Sequence, residues 1–302
     1  MSSENPRRAA ERQLWRCLEA VHAAVYFAPD VGQAWRELGL KGFWMGYFAS
    51  RSAALGRPGA QLVTALFHGF APRMVERALP GAWDLATPQD VLATRARIAT
   101  AALAPHTGGD GSAGRPDRLD GPLDGLLDRL DLAGRPLAAA HAALPRPGDP
   151  VTRLWHAATV LREYRGDGHV AALVAADVDG AAANVWHAAG GLLVDSQRDF
   201  RGWTAAEWDA ARAALHGRGW LAADGTLTAA GGRARDDVEH RTDLAAARAL
   251  RPLSDGALAD LLARLHPIAA SVVAAGAVPY PNAMGVPAPD AVPPGQPLRA
   301  RS

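Results

Sequence analysis

Apolar residues recur at steps of three and four along most of this chain, with polar residues between them. The first such run covers residues 9–24, where Leu14, Leu18 and Val21 share one face that continues to Val25. This spacing gathers apolar side chains into one stripe of an α-helix. The pattern therefore predicts an amphipathic helix at the start of the chain.

The same period continues through the rest of the chain and is interrupted by glycine and proline. Thr87 precedes Pro88 and the next apolar run, so its hydroxyl is placed to cap that helix. Predicted helices cover residues 30–38, 41–55, 60–79, 88–104, 151–177, 179–189, 204–217 and 232–250, with one or two short helices within 123–143. The sequence therefore predicts a mainly α, multi-helical fold.

Two stretches rich in glycine, proline and aspartate divide the chain. Residues 105–122 hold almost no large apolar side chain, and residues 145–150 repeat this composition on a smaller scale. Segments of this kind form surface loops because they have little to bury. We predict an N-terminal helical subdomain at residues 9–104, a flexible and partly helical linker at 105–150, a second subdomain at 151–270, and a disordered or extended arm at 279–302.

The second predicted subdomain contains a helix, a short hairpin and another helix. Thr204 caps the first of these helices, and Asp224-Gly225 forms a two-residue turn between short apolar segments. A further helix follows from residue 232. This order predicts a winged-helix-like unit with a short two-stranded wing.

Residues 215–231 resemble the passage from recognition helix to wing in MarR-type regulators. The chain from about Leu14 to Ala270 also resembles the SalK-like helix-turn-helix proteins of high-GC bacteria. The stretches that carry this resemblance are HAAVYFAP at 22–29, GYFASRSAALG at 46–56, REYRGDGHVAAL at 162–173 and RGW at 201–203. The resemblance implies a transcriptional regulator by analogy of fold, and a fold does not by itself determine a function.

The charges of the winged-helix-like unit argue against strong DNA binding. Its predicted recognition helix offers Glu207 and Asp209 in the first turn, where they would face a polyanion unfavourably. A formal net charge of +1 gives the whole chain no field that would concentrate nucleic acid. Arginines that could still line a phosphate track are Arg198, Arg201, Arg212, Arg218, Arg233 and Arg235. We interpret the unit as a packing or dimerisation module, and DNA binding is not excluded.

Cysteine content and hydropathy bound the compartment. Cys17 is the single cysteine, which excludes an intramolecular disulfide and any site built from several thiolates. The polar N-terminus does not resemble a signal peptide, and no long uncharged apolar run is present. The sequence therefore predicts a cytoplasmic protein without a membrane partner.

The predicted helix at 151–177 concentrates ionisable residues within apolar surroundings. Trp155, Arg162 and His169 are seven residues apart and share a face, and Asp167 lies close to His169 in sequence. A carboxylate beside a buried histidine can bring its pKa near neutrality, which suits acid–base catalysis. The alternative is a structural network of ion pairs that joins the two halves of the chain.

The N-terminal half repeats this mixture of polar and aromatic residues. His22 and Tyr26 are four residues apart and adjacent on one helical face, and so are Tyr47 and Arg51. Phe48 adds an aromatic wall between them. Together these residues predict a pocket, although each alone is more typical of a satisfied polar residue in a core.

Cofactor motifs are not found in the sequence. It contains no glycine-rich dinucleotide or P-loop motif, no HExxH and no nucleophile elbow. His22, His156, Asp167 and His169 leave metal binding open as an alternative, but their spacing forms no recognised motif. We predict neither a cofactor nor a metal.

These patterns favour a small-molecule-binding protein, as a cofactor-independent acid–base enzyme of specialised metabolism. The alternatives are a dimeric, ligand-responsive MarR-like regulator that binds DNA through the winged helix, and a non-catalytic scaffold. The predicted catalytic residues are His169, His22 and Asp167, and the predicted substrate-binding residues are Arg51, Arg162, Tyr26, Tyr47, Phe48 and Trp155.

Overall fold

The fold is mainly helical. The computed structural model describes residues 5–108, 114–191, 197–285 and 287–290, and this part of the chain forms fourteen α-helices. They are α1 (Pro6–Phe27), α2 (Val31–Glu37), α3 (Phe43–Ser52), α4 (Ala60–Phe67), α5 (Pro72–Glu76), α6 (Pro88–Leu103), α7 (Asp120–Leu127), α8 (Pro136–Ala142), α9 (Pro150–Ala175), α10 (Gly180–Ala189), α11 (Gln197–Phe200), α12 (Ala205–Gly217), α13 (Ala229–Ala247) and α14 (Asp255–Ala274).

The larger hydrophobic core surrounds α1. Its predicted stripe is buried, and Leu14, Leu18 and Val21 are fully shielded from solvent. α14, α9 and α6 pack against α1, so the helix is covered on several sides. The burial of these aliphatic side chains is the main driving force for this half of the fold.

Helix α9 runs through both hydrophobic cores. Asp149 caps its N-terminus by accepting a hydrogen bond from the Thr152 amide at 2.8 Å. Its middle turns place Leu161 and Tyr164 in the larger core, and its last turns place Leu173 in a second, smaller core. Because α9 is enclosed on several sides, its buried residues form no single apolar stripe.

The smaller core is built by α10, α12 and α13 against the end of α9. Leu215 of α12 and Val238 of α13 are buried there. Trp186 of α10 stacks on Trp220, with ring centroids 4.6 Å apart. The winged-helix-like segment therefore folds around its own small core.

The predicted wing is present as a turn, but its two strands are not confirmed. The described residues contain no β-strand, and Leu221 and Leu227 form one isolated antiparallel bridge. Asp224 accepts a hydrogen bond from the Thr226 amide at 3.0 Å, and Gly225 adopts a φ of 83°. The hairpin is too short to extend the bridge into a ladder.

The predicted helix at residues 60–79 is divided in two. α4 ends at Phe67, and α5 begins at Pro72 after a connection in which His68 has a positive φ of 37°. Gly180 packs against this connection so closely that a Cβ there would lie 2.1 Å from the His68 carbonyl oxygen. Contact with α10 therefore fixes the break, which the apolar spacing alone does not reveal.

The segment predicted to be a linker contributes to the larger core. α7 and α8 both pack against α9, and buried leucines at 119, 123, 126 and 137 join the core. Five of the residues predicted to be a loop, 109–113, lie outside the described residues. α7 and α8 overlap the stretch where the sequence predicts one or two short helices, and their leucines hold them against the core.

Part of the predicted C-terminal arm packs on the body of the protein. The Gln13 side chain donates to the Asp290 carbonyl at 2.7 Å and accepts from its amide at 3.0 Å. Residues 291–302 of the arm lie outside the described residues. The start of the arm is therefore tied to α1 rather than free.

Helix α14 has the length and apolar character of a membrane span. The mean hydropathy of its apolar window is 1.4. Among the described residues it is the one helix that is both long enough and apolar enough to cross a membrane. Its apolar residues Leu258, Leu261, Leu265 and Ile268 are nevertheless buried, and the helix packs against α1. Buried residues make up 33% of this apolar window, so one face of α14 enters the core and the rest of the helix is at least partly exposed.

The junction of hairpin and α13 allows a matched test of packing. A Cβ at Gly231 would lie 2.1 Å from the Trp220 carbonyl oxygen, whereas a Cβ at Gly232 would meet open space. We expect Gly231→Ala to lower the free energy of unfolding by about 1–3 kcal/mol through overpacking. Gly232→Ala should raise it by about 0.5–1 kcal/mol, since alanine favours the helix. Urea denaturation measures both, and equal effects of the two changes would contradict this packing.

Candidate functional site

A cavity of about 630 Å³ lies between the two cores. Residues from α1, α3, α9, α10 and α13 line it, together with residues 66–70 and the C-terminal segment at Ala283, Met284, Gly285 and Pro287. α9 forms one wall along several turns. The cavity therefore depends on both halves of the chain.

A buried carboxylate organises the charged wall of this cavity. Both carboxylate oxygens of Glu163 on α9 accept a hydrogen bond from Arg51 Nη2, each at 2.9 Å. Arg162 Nη1 donates a further hydrogen bond to Glu163 at 3.0 Å. Arg162 also lies 3.3 Å from Glu19 of α1. Burial would raise the pKa of Glu163, but the two guanidinium groups outweigh it and hold the pKa well below its usual range.

Tyr47 lies beside this network. Its hydroxyl accepts a hydrogen bond from Arg51 Nη1 at 3.1 Å. Burial opposes ionisation of the phenol, but the positive charges of Arg51, Arg201 and Arg162 prevail and lower its pKa. Tyr47 is thus a hydroxyl whose proton is held less tightly than usual.

Arg201, at the start of the connection to α12, is held differently from the arginines around Glu163. Its guanidinium carbon lies 4.3 Å from the centre of the Phe70 ring, and Nη2 donates to the Ala283 carbonyl at 2.5 Å. Its Nε is shielded from solvent and has no hydrogen-bond partner among the described residues. The described carboxylates form no salt bridge with Arg201.

Another part of the cavity lining carries imidazoles. Nδ1 of His169 lies 3.0 Å from the Thr242 hydroxyl and 3.7 Å from Glu239. Burial, assisted by His187 and Arg165, lowers the pKa of His169 to about 4 despite the carboxylate of Glu239. His169 is therefore neutral near pH 7 and can accept a proton or a hydrogen bond.

Four of the predicted site residues line the cavity. Tyr47, Arg51 and Arg162 lie on the charged wall, and His169 lies on the imidazole wall. The structure thus brings together residues from two stretches that are more than a hundred positions apart in sequence.

Four other predicted site residues lie behind the cavity in the larger core. His22 is fully buried between the Thr159 hydroxyl at 3.0 Å and the Tyr26 hydroxyl at 3.1 Å, and it stacks on Trp155. Phe48 is fully buried as well. Burial and nearby arginines hold the pKa of His22 well below its usual value. These residues support the wall and do not reach a ligand in the cavity.

Asp167 does not orient His169 as predicted. It accepts a hydrogen bond from the Ala138 amide at 3.0 Å at the start of α8, and it lies outside the cavity lining. Two residues along a helix place side chains on different faces, which separates Asp167 from His169. Burial raises the pKa of Asp167 to about 6. Glu239 of α13 is the carboxylate beside His169.

Several cavity residues were missed as site residues in the sequence. Glu163 adjoins Arg162 within the stretch at 162–173, and Arg201 opens the stretch at 201–203, so both lay inside segments already singled out. His187, Arg235 and Glu239 also line the cavity. They come from α10 and α13, and no local pattern marks them.

No metal centre is apparent in the described part of the chain. Within it, no group of three or more histidine, cysteine, aspartate or glutamate side chains is arranged to hold a metal ion. The chemistry of the cavity is that of arginine, carboxylate, phenol and neutral imidazole.

Helix α12, the predicted recognition helix, has its N-terminus held against α5 at the protein surface. Glu207 completes a capping box with Thr204 and pairs with both terminal nitrogens of Arg73, at 2.8 and 2.6 Å. Arg218 stacks on Trp220 at 3.8 Å and donates to a backbone carbonyl. The exposed residues of the helix are mainly alanines, with Asp209, Arg212 and His216. Arg212 is the exposed arginine of this helix.

Comparison with known proteins gives one match. A protein-family model described as a helix-turn-helix family matches residues 11–279, which is most of the chain. No curated protein and no solved structure matches the chain.

The lowered pKa of His169 predicts a pH dependence of stability. The unfolded chain, with a histidine pKa near 6.5, binds more protons than the folded chain between pH 6.5 and 4, so stability falls as the pH drops through that window. We expect His169→Asn, which keeps a polar partner for Thr242, to reduce this slope by up to about 1.4 kcal/mol per pH unit. Urea denaturation at a series of pH values measures it. An unchanged slope would show that His169 titrates alike in both states.

Proposed function

The chain belongs to a helix-turn-helix family, and we propose that it binds a small organic molecule in the cavity between its two cores, as a ligand-responsive member of that family. One observation carries this proposal. The cavity of about 630 Å³ falls within the range of small-molecule sites and is lined by converging polar groups on an aromatic wall.

The resemblance to the SalK-like proteins supports the same proposal. Two of the stretches that carry the resemblance, 46–56 and 162–173, supply Tyr47, Arg51, Arg162 and His169 to the cavity. A third stretch, 201–203, begins with Arg201. We therefore assign the chain, within its helix-turn-helix family, to a SalK-like group whose shared residues surround a ligand site.

Acid–base chemistry is part of this proposal. His169 is neutral at physiological pH and is placed to accept a proton, and the lowered pKa of Tyr47 suits the donation of one. His22 is buried behind the cavity wall, and we propose that it supports the residues that line the cavity.

Filling the cavity tests whether it binds ligands. Val170 of α9 lines the cavity, whereas Val174, one turn further along the same helix, is 64% exposed and does not. We expect Val170→Trp to weaken binding of the fluorescent probe 8-anilinonaphthalene-1-sulfonate by about tenfold or more, because the indole occupies the cavity. Val174→Trp is the matched control and should leave the affinity unchanged.

Calorimetry and fluorescence titration give the stoichiometry and affinity of the probe. One-to-one binding that Val170→Trp abolishes supports the proposal. Binding that both variants reduce equally, or neither reduces, would place the probe elsewhere and overturn it. Urea denaturation of both variants checks that each remains folded.

DNA binding is the second candidate function, and the family match favours it. In this alternative the protein acts as a dimer whose two α12 helices contact DNA, as in winged-helix regulators. The docked N-terminus of α12 leaves Arg212 as the exposed arginine on that helix, so a specific complex would depend on it.

Fluorescence anisotropy with labelled duplex DNA from upstream of the gene tests this candidate. Specific binding through α12 predicts a steep loss of affinity with salt and a loss of about 1–3 kcal/mol with Arg212→Ala. Arg251→Ala removes an exposed arginine far from α12 in sequence and is the control. Weak binding that is insensitive to Arg212→Ala would reject α12 as a DNA-contacting helix.

A further inference from the structure

The arginines that line the cavity fall into two groups. Five of them, Arg12, Arg16, Arg51, Arg162 and Arg165, form salt bridges with carboxylates. For Arg201 and Arg235 the described residues supply no such partner. The cavity lining as a whole holds seven arginines and five carboxylates, so it has positive charge left to bind an anion.

Arg201 is the more enclosed site for that anion. Its Nε is shielded from solvent and has no partner among the described residues, and its contacts are uncharged: the Phe70 ring, the Ala283 carbonyl and the Tyr47 hydroxyl. A guanidinium removed from water without a counter-ion is unfavourable. Burial accordingly lowers the pKa of Arg201. An incoming anion would relieve this cost.

The contacts of Arg201 also fix its orientation. Stacking on Phe70 and the hydrogen bond to Ala283 hold the planar guanidinium at the cavity wall and leave Nε without a partner among the described residues. A planar fork held in one orientation matches the two oxygens of a carboxylate. The neighbouring Arg51 cannot bind the carboxylate of a ligand in this way, because its guanidinium already donates hydrogen bonds to both oxygens of Glu163.

The wall next to Arg201 is apolar. Leu66, Phe67, Phe70 and the ring of Tyr47 line this part of the cavity, and Phe67 and Phe70 lie with Tyr47 in one cluster of ring contacts. Such a surface favours a flat hydrocarbon body over a strongly hydrated one. A small phosphate or sulfate would use the cation but leave this wall without a partner.

We infer that the cavity binds a small carboxylic acid with an apolar, ring-sized body, with its carboxylate on Arg201 and its body on the wall of Leu66, Phe67, Phe70 and Tyr47. The inference names the ligand class of the proposed site and rests on that proposal. Arg51 and Arg162, which the sequence predicts as substrate-binding residues, are already paired with Glu163 and Glu19, so the inference gives the ligand's carboxylate to Arg201.

Isothermal titration calorimetry of the full chain with 2-naphthoate and its neutral counterpart 2-naphthamide tests the inference. We expect wild-type protein to prefer naphthoate, and Arg201→Gln to weaken naphthoate by about tenfold or more while leaving naphthamide unchanged. The matched control is Arg198→Gln in α11, an arginine outside the cavity lining that pairs with Asp199. It should change neither affinity.

The outcomes separate this inference from the proposed function. Equal affinity of wild-type protein for the two probes, no binding of either, or an Arg201→Gln variant that keeps the preference for naphthoate would overturn the carboxylate site. If inorganic phosphate competes with naphthoate and Arg201→Gln abolishes this competition, the ligand class would be phosphate and not a carboxylic acid. In each case, if Val170→Trp still weakens the binding of anilinonaphthalene sulfonate, the proposal of a ligand-binding cavity is retained. Loss of that response would overturn both.

Discussion

The arrangement of the cavity depends on one buried carboxylate, Glu163. It lies in the middle of α9 with its side chain only 1% exposed, so its charge must be met by nearby cations. Arg51 brings α3 to it, and Arg162 extends the contact to Glu19 on α1. Three helices that are distant in sequence thereby acquire fixed relative positions. The network does not guarantee stability, because burying charges is costly, but it specifies which faces meet.

The sequence predicted the helices well where caps and apolar stripes agree. Thr87 accepts a hydrogen bond from the Asp90 amide at 3.2 Å, as its position before Pro88 indicated, and the mainly α fold is confirmed. The apolar spacing missed the break at His68, although Gly69 and Pro72 interrupt that stretch in the sequence, and contact with Gly180 from another part of the chain fixes its geometry. The two predicted strands of the wing are not confirmed, because the Asp224-Gly225 turn specifies a hairpin but not how many residues pair on each side of it.

The site was predictable in its stretches but not in the role of each residue. Helical spacing put Arg162 and His169 on a common face, and both line the cavity. Spacing could not show that Glu163 occupies Arg51 or that Glu239 supplies the carboxylate beside His169, since both facts depend on tertiary packing. Neighbours in sequence predict contacts within a helix, whereas the charge balance of a cavity depends on all the helices around it.

The proposed ligand site and the predicted winged-helix-like unit lie next to each other at Arg201. The next residue, Gly202, accepts a hydrogen bond from Arg73, which also holds Glu207 at the start of α12. Trp203 then donates to the Gly69 carbonyl at 3.0 Å, beside the aromatic wall of the cavity. A ligand bound at Arg201, as proposed, would therefore touch the segment that positions α12. Ligand binding and DNA binding need not be competing functions of this fold, because coupling between two sites requires only that they bias the same structural element.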